Sequence, residues 1–235
     1  MTLELQKRAN SAENFSTDLV HEIRNPLASL KSASEIISET EDKNQRDKLV
    51  KILSHDVERI ERLITDYSQM LKDEVALTNE QMKIIDLKPI VTSVVDDFNS
   101  IYLSKRGIKI SLQSKNQKNK IEINGIENRI EQILANLLEN SISFSEDNKN
   151  IIVKLYKENK NVMLDVIDEG LGFKEKDTKR IFNRFYSNRP GKFGEHSGLG
   201  LNIVKNLIDL HGGTISASNN IKGKGAKIEI IFPSA

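Results

Sequence analysis

The residues best able to do chemistry begin at His21, in the run LVHEIRNP over residues 19–26. A neutral imidazole, with an unperturbed pKa near 6.5, offers a lone pair at neutral pH. Attack through one ring nitrogen leaves the ring cationic unless the other nitrogen loses its proton. The carboxylate of Glu22, next in the chain, can accept that proton or stabilise the cation. Asn25 lies four residues on and shares a helical face with His21. Its amide orients water well and is a poor base. Pro26 then removes a backbone donor inside the helix, at a cost of roughly 3 kcal/mol against alanine.

A second set of candidates lies further along the chain. Asn136 and Asn140, in EQILANLLENSISFS (Glu131–Ser145), are four apart and share a helical face. Neutral amide oxygens there can coordinate Mg²⁺ beside phosphate oxygens without adding like-charge repulsion. In VIDEGLGF (Val166–Phe173) an apolar strand ends at Asp168, and Gly170 and Gly172 permit a tight turn with close backbone approach. In SGLGLNIVK (Ser197–Lys205) two glycines open a helix and expose backbone N–H groups to a phosphate chain. Taken singly, each string is an ordinary surface or turn feature.

The elements that must position these residues fall into two halves. Residues 3–75 contain one proline and no glycine. Phe15, Leu19, Ile23, Leu27, Leu30 and Ile37 recur at helical spacing and form one apolar stripe. His21 lies about 170° from the centre of that stripe, so it is predicted to face solvent. Leu49, Leu53, Val57, Ile60, Ile64, Tyr67 and Leu71 repeat at near-heptad spacing. The polar stretch Glu39–Lys48 separates the two, giving a helical hairpin. Two such helices alone leave much of each stripe uncovered, and pairing into a four-helix bundle would bury them, so a homodimer is expected.

From about residue 80 short β-like runs appear at Met82–Ile85, Ile108–Leu112, Ile121–Ile123, Ile151–Tyr156, Val162–Ile167, Thr214–Ala217 and Lys227–Phe232. Helical patterns intervene at Leu87–Leu103, Glu127–Ser143 and Leu199–Leu210. The fold class is therefore α+β: a hairpin domain over 1–76, joined near Leu77–Glu80 to an α/β sandwich over 77–235, with helices on one face of a mixed sheet. In the helix carrying the asparagines, Leu134, Leu137 and Leu138 take the core-facing side.

The string FSTDLVHEIRNPLASL (Phe15–Leu30) resembles the H-box of sensor histidine kinases, and the resemblance extends over nearly the whole chain. It implies a phosphoacceptor and dimerisation domain (HisKA) followed by a GHKL-type catalytic domain (HATPase_c). Glu131–Ser145 then resembles the N-box, with Phe144 at its end; Val166–Phe173 the G1 box, whose aspartate accepts the adenine amino hydrogen; and RIFNRFY (Arg180–Tyr186) the F-box. Ser197–Lys205 resembles the G2 box. No Walker A string occurs, in agreement with that fold. By resemblance His21, Glu22 and Asn25 are catalytic. ATP would be bound by Asn136, Asn140, Phe144, Asp168, Gly170, Gly172, Phe185, Tyr186, Ser197, Gly198, Leu199, Gly200 and Leu201, and Mg²⁺ by Asn136 and Asn140. Phe182 and Phe185 would pack beneath an ATP lid running over Ser187–Ser197. Asn25 would position water for dephosphorylating a partner's phospho-aspartate. The lid and H-box strings most closely resemble the ChvG/BvrS group of alphaproteobacterial envelope sensors. Three positions depart from the usual pattern: Ser143 where the N-box often has lysine, Ser187 where arginine often follows the F-box, and His196 in place of the first G2 glycine.

Two rival readings are an ATPase of the same nucleotide fold that drives conformational change, and a non-enzymatic dimeric scaffold. The resemblance implies a homodimer, a response regulator receiver domain as partner, and phosphatase activity toward that regulator. It also implies a cytoplasmic portion, beginning near the end of a signalling helix (Leu3–Asn14), of a protein anchored in the inner membrane. Composition excludes other classes. Lys+Arg number 35 and Asp+Glu 34, so there is no basic field for nucleic acid. Aromatic residues make up 5% with no Trp, which leaves little for stacking on single strands. The absence of cysteine excludes disulfides and thiolate metal sites. No apolar run approaches the roughly 20 residues that span a bilayer, so this stretch is not expected to be membrane-inserted.

Overall fold

A computed structural model of the chain describes residues 2–77, 80–114, 120–174, 178–186, 198–220 and 224–235; side chains of the first two helices are described for Thr17, Leu19–Glu39 and Lys43–Ser68. The backbone divides into two compact units, one mainly of residues 1–75 and the other of 76–186 and 199–235. Each is described by itself.

The first unit is the hairpin of α1 (Thr2–Glu39) and α2 (Lys43–Leu77). The connection is shorter than the polar stretch suggested. Only residues 40–42 leave the helix, and Lys43–Lys48 form the first turns of α2. Good helix formers on a solvated surface need no apolar stripe to stay helical. Helix α1 runs through Pro26 without a break.

The seam inside the hairpin differs from the predicted stripe by one residue at several positions. On α1 the shielded seam residues are Leu19, Ile23, Pro26, Leu30, Ala33 and Ile37, spaced by fours and threes, and Glu22 is shielded beside them. On α2 they are Leu49, Leu53, Asp56, Ile60, Leu63 and Tyr67, with the same alternation. That 3.5-residue period keeps a seam facing its partner, whereas fours in succession drift off it. Leu27, Val57 and Ile64, expected in the stripe, are instead 52%, 45% and 49% exposed. With Val20 and Val50, also exposed, they form a second apolar seam: residues 20 and 27 on α1, and 50, 57 and 64 on α2, each set stepping by seven.

Among the described residues the second unit holds seven strands and three α-helices. Strands β1 (Lys83–Asp86) and β3 (Glu122–Gly125) pair antiparallel as a small separate sheet. The main sheet has the order β2 (Lys109–Ser114), β4 (Asn150–Glu158), β5 (Asn161–Ile167), β7 (Ala226–Pro233), β6 (Thr214–Asn219). Only the β2–β4 pair is parallel, so the sheet is mixed. The seven β-like runs of the sequence all correspond to strands. Helices α3 (Leu87–Arg106), α4 (Glu127–Phe144) and α5 (Gly200–Leu210) match the three helical patterns to within a few residues at their ends. A short 3-10 turn at Thr178–Phe182 had no sequence counterpart beyond the F-box string.

Alternation along the strands sets the core. Val162, Leu164 and Val166 of β5 share one face with Ile151, Val153 and Leu155 of β4 and Ile228, Ile230 and Phe232 of β7, all buried. They join Ile130, Ile133, Leu134, Leu137 and Leu138 of α4 and Val204, Leu207 and Ile208 of α5 in a single cluster. The α4 leucines thus lie where their spacing put them, which commits the opposite side of α4 to the site.

Helix ends are fixed by side chains. Asp86 accepts from the Lys88 amide and caps α3, and Gly107, at φ 64°, closes the same helix in the left-handed conformation that glycine tolerates. Arg106 donates to the carbonyls of Ile142 and Ser145, so a cation sits on the C-terminus of α4. His211 joins two helices: its Nδ1 lies 2.6 Å from the Leu207 carbonyl, and its Nε2 accepts from the Ile126 amide at 3.1 Å. Those partners require the neutral ring with its proton on Nδ1, and burial holds its pKa below the usual histidine value.

Candidate functional site

In the hairpin, His21 is exposed, as its angle from the stripe predicted, and so is Asn25. Glu22 is half-buried because the next position turns about 100° toward α2. There the antiparallel run of the hairpin brings Arg59 beside it, and Arg59 Nη2 donates to Glu22 Oε2 at 3.0 Å. Pro26 occupies the inner seam one turn along, so the buried residue without a backbone donor lies beneath the exposed His21–Asn25 face. The pattern of apolar residues gave no sign of Arg59, since a polar residue beside a seam looks like any solvated one. Asp56, a buried carboxylate at a seam position, was missed for the same reason.

In the second unit the chemistry-bearing residues are held by four neighbouring pieces of backbone. Helix α4 presents Asn136 and Asn140 on the face away from its leucines. Each amide nitrogen donates to a carbonyl one turn back: Asn136 Nδ2 to Gln132 at 2.9 Å, and Asn140 Nδ2 to Asn136 at 3.0 Å. The nitrogens are thereby occupied, and the Asn136 Oδ1 is turned toward the start of α5. A Cβ placed on Gly200 would stand 3.1 Å from that oxygen and 3.8 Å from Asn140 Nδ2. Glycine at 200 lets the two helices come this close.

Leu199, at the cap position of α5, makes no side-chain cap, and Gly198 before it has φ 74°. The first-turn amides of a helix offer an anion site, with the positive end of the helix dipole behind it. Leu199 itself is buried, and Leu201 packs against the core. Asn202 Nδ2 donates to the Phe182 carbonyl at 2.9 Å, tying α5 to the 3-10 turn. Phe182 is buried, as expected of a residue in core packing; Phe185 follows with φ 56°, a left-handed conformation rare for a bulky side chain, and Tyr186 packs on the core. Ser197, the lid Ser187–Ser197, and the departures at Ser187 and His196 lie outside the described residues.

Asp168 sits at the end of β5, buried, and organises its turn. Its Oδ1 accepts from the amides of Gly170 and Ala226, both at 2.9 Å. Burial pushes the carboxyl up from the ordinary aspartate value, while the Ala226 and Gly170 amides and the Ser141 side chain pull it back. Gly170 is needed because a Cβ there would meet the Phe144 carbonyl oxygen at 2.7 Å, so the turn rests on the C-terminal end of α4. Gly172 has φ 72°, and its neighbour Phe173 is fastened to Asn219 by two hydrogen bonds. Gly225, at φ 116°, is the tightest position: a Cβ would fall 1.9 Å from the Asp168 carbonyl oxygen. Sequence reading passed over Gly225 and Ser141. The glycines flanking Lys224 were the available signal for the first; nothing marked the second.

The structure thus brings Asn136 and Asn140 against the uncapped start of α5, and Phe144, Gly170 and Asp168 together at the other end of α4. Apolar surface at the latter end, Phe144 at 39% and Leu171 at 70% exposed, suits a planar base whose polar edge meets a carboxylate. No group of three or more His, Cys, Asp or Glu among the described residues could hold a metal alone. A cation here would need phosphate oxygens as well, which amide ligands permit. No described helix is long and apolar enough to cross a membrane.

Comparison with known proteins agrees with this geometry. Residues 11–75 match the His Kinase A (phospho-acceptor) domain, and residues 125–235 match the Histidine kinase-, DNA gyrase B-, and HSP90-like ATPase domain. The chain is 36% identical to Sensor protein ChvG of Rhizobium meliloti (strain 1021), over 97% of this chain and 40% of that protein. It is 34% identical to Sensor protein ChvG of Agrobacterium fabrum, over 100% of this chain and 41% of the relative. It therefore spans about two fifths of the length of these relatives. Its fold is similar to that of the histidine kinase ThkA in the crystal structure with response regulator protein TrrA, with a TM-score of 0.67 and 22% identity, over 98% of this chain and 64% of that one.

Proposed function

The chain belongs to the sensor histidine kinases that join a HisKA hairpin to a HATPase_c domain, and from that premise we propose that it phosphorylates His21 from ATP and passes the phosphoryl group to an aspartate of a response regulator. The observation that carries the proposal is the meeting of the Asn136 face of α4 with the uncapped start of α5, with Asp168 buried at the far end of α4. That arrangement offers a phosphate site and a base site on one helix. Residues 1–76 would be the dimerisation and phosphotransfer domain, and 77–235 the catalytic domain.

In the reaction, one ring nitrogen of His21 bonds to the γ-phosphorus as the bond from phosphorus to the β,γ-bridging oxygen breaks. ADP leaves with that electron pair, and the proton on the other ring nitrogen passes to Glu22. Asp168 would accept the adenine amino hydrogen, with Phe144 and the Gly170–Gly172 turn against the base. The first-turn amides of α5, from Gly198 to Leu201, would hold the phosphates. Asn136 and Asn140 would hold Mg²⁺ together with phosphate oxygens, and the cation would neutralise phosphate charge. Positioning and charge neutralisation supply most of the rate in this chemistry. Asn25, exposed one turn from His21, would orient the water that hydrolyses a regulator's phospho-aspartate. Phe185, Tyr186 and Ser197 complete the proposed nucleotide contacts at the two ends of the lid.

The second apolar seam, at Val20, Leu27, Val50, Val57 and Ile64, supports a homodimer, since a second hairpin would cover it. By likeness to the ChvG sensors, the chain would be the cytoplasmic portion of an inner-membrane envelope sensor. Incubation with γ-³²P-ATP and Mg²⁺ tests the central reading: acid-labile, base-stable label should appear on the chain and vanish in His21→Gln. Label that persists in His21→Gln would overturn it.

A further inference from the structure

We propose that Arg59 is a positioning residue for phosphoryl transfer at His21, acting by holding the Glu22 carboxylate through its Nη2–Oε2 hydrogen bond. The inference rests on the reading of Glu22 as the group that takes the ring proton. A carboxylate can do that only if one oxygen is presented to the imidazole in a fixed direction. Glu22 sits on a long side chain at the exposed edge of α1, where several rotamers are open to it. Arg59, from the neighbouring helix, narrows them.

One of the two carboxylate oxygens is engaged. Oε2 accepts from Arg59 Nη2 at 3.0 Å, and Oε1 has no hydrogen-bond partner among the described residues. The two side chains are shielded, 28% and 15% exposed, so the pair is screened less than a surface ion pair. The arrangement is that of a reacting group, a base beside it and a third group that orients the base, here drawn from two antiparallel helices. The third group has to be an arginine, because a planar guanidinium fixes the carboxylate's direction where an ammonium on a flexible stem fixes only its approximate place. Position 59 lies beside the seam of α2, between Asp56 and Ile60, so packing of the hairpin sets where the guanidinium stands.

The test compares the parent chain with Arg59→Ala, Arg59→Lys, Glu22→Gln and the double variant Glu22→Gln/Arg59→Ala, following initial rates of ³²P incorporation against MgATP concentration. Arg59→Ala is expected to lower kcat about tenfold, part of what a positioned proton acceptor contributes, and to leave KM for ATP unchanged. Arg59→Lys should recover part of that loss. The double variant should react as slowly as Glu22→Gln alone, because Arg59 has no second route to the chemistry. Equal factors lost in the parent and Glu22→Gln backgrounds would mean that Arg59 merely braces the hairpin, and would overturn the proposal. An unchanged rate in Arg59→Ala would overturn it as well. A parent chain that takes no label at all would overturn the kinase reading and this inference with it, an outcome distinguishable from either of the others.

Discussion

The hairpin and the sandwich treat their reactive groups in opposite ways. His21 and Asn25 stand on an exposed helical face. Asp168 lies inside a built turn, with two backbone amides on one oxygen and glycines wherever a Cβ would collide. A group that must be reached by large partners has to be accessible, and its neighbours can hold it only from one side. A group that must recognise a small planar base gains from being desolvated and fixed before the ligand arrives. Substitutions in the two regions should therefore separate activity from stability in opposite senses.

The sharpest contrast is between His21→Gln and Asp168→Asn. Both should abolish detectable phosphorylation. Only Asp168→Asn should also remove the ATP-dependent rise in melting temperature, because only it touches the proposed nucleotide site. His21→Gln should melt as the parent does. If His21→Gln lowered the melting temperature by several degrees, the exposed-acceptor side of the contrast would fail.

A glycine substitution isolates the structural half of the same argument. Gly225→Ala forces a Cβ into the carbonyl of Asp168 at a φ that alanine avoids. It should destabilise the second unit by about 3 kcal/mol or more, as strained positions with a clash do. Urea unfolding monitored by circular dichroism measures this. A loss under about 1 kcal/mol would show that the turn relaxes freely, against the rigid site described.

On the hairpin side, Val57→Glu adds a charge to the second seam without touching the first. It should shift the chain from dimer to monomer in light scattering at micromolar concentration, and leave the ATP-dependent melting shift intact. A dimer that survives both Val57→Glu and Ile64→Glu would place the interface elsewhere.

The two regions also differed in how much could be read from their residues. In the sandwich the strands, helices and buried leucines of α4 follow from alternation and helical spacing, since one face of each element meets a continuous core. In the hairpin the period was legible but its phase was not. Asp56 holds a seam position that any hydrophobic pattern gives to Val57, and Ala33 and Pro26 hold seam positions because small or donor-free residues fit between close helices. Arg59 and Ser141 act through long-range partners, at separations of 37 and 27 residues, that only the folded chain brings near. Asp168, Gly170 and Gly200 were legible because they fall in strings that resemble the family's boxes; their spacing alone would have marked turns.

The smallest expected effect concerns the sandwich side of the contrast, the buried His211 that ties α5 to the start of α4. Its folded pKa is depressed by burial, so the neutral ring is the form that the fold favours. A base held neutral in this way contributes stability that is fully present above its unfolded pKa, near 6.5, and lost as pH falls through the lower folded value. Protonation would put a hydrogen on Nε2, where the Ile126 amide already donates, and one hydrogen bond would become a repulsion. The second unit should therefore lose about 1 kcal/mol, the worth of one such bond, as the solution is acidified below pH 6.5. Among the described residues His211 is the buried histidine; His21 and His55 of the hairpin are not buried. Hydrogen exchange at the Ile126 and Ile130 amides, followed between pH 7.5 and 5.5 and corrected for intrinsic rates, reads that loss directly. In His211→Gln, where the amide can still accept from Ile126, that acid-dependent component should disappear; its persistence would assign the effect to another group.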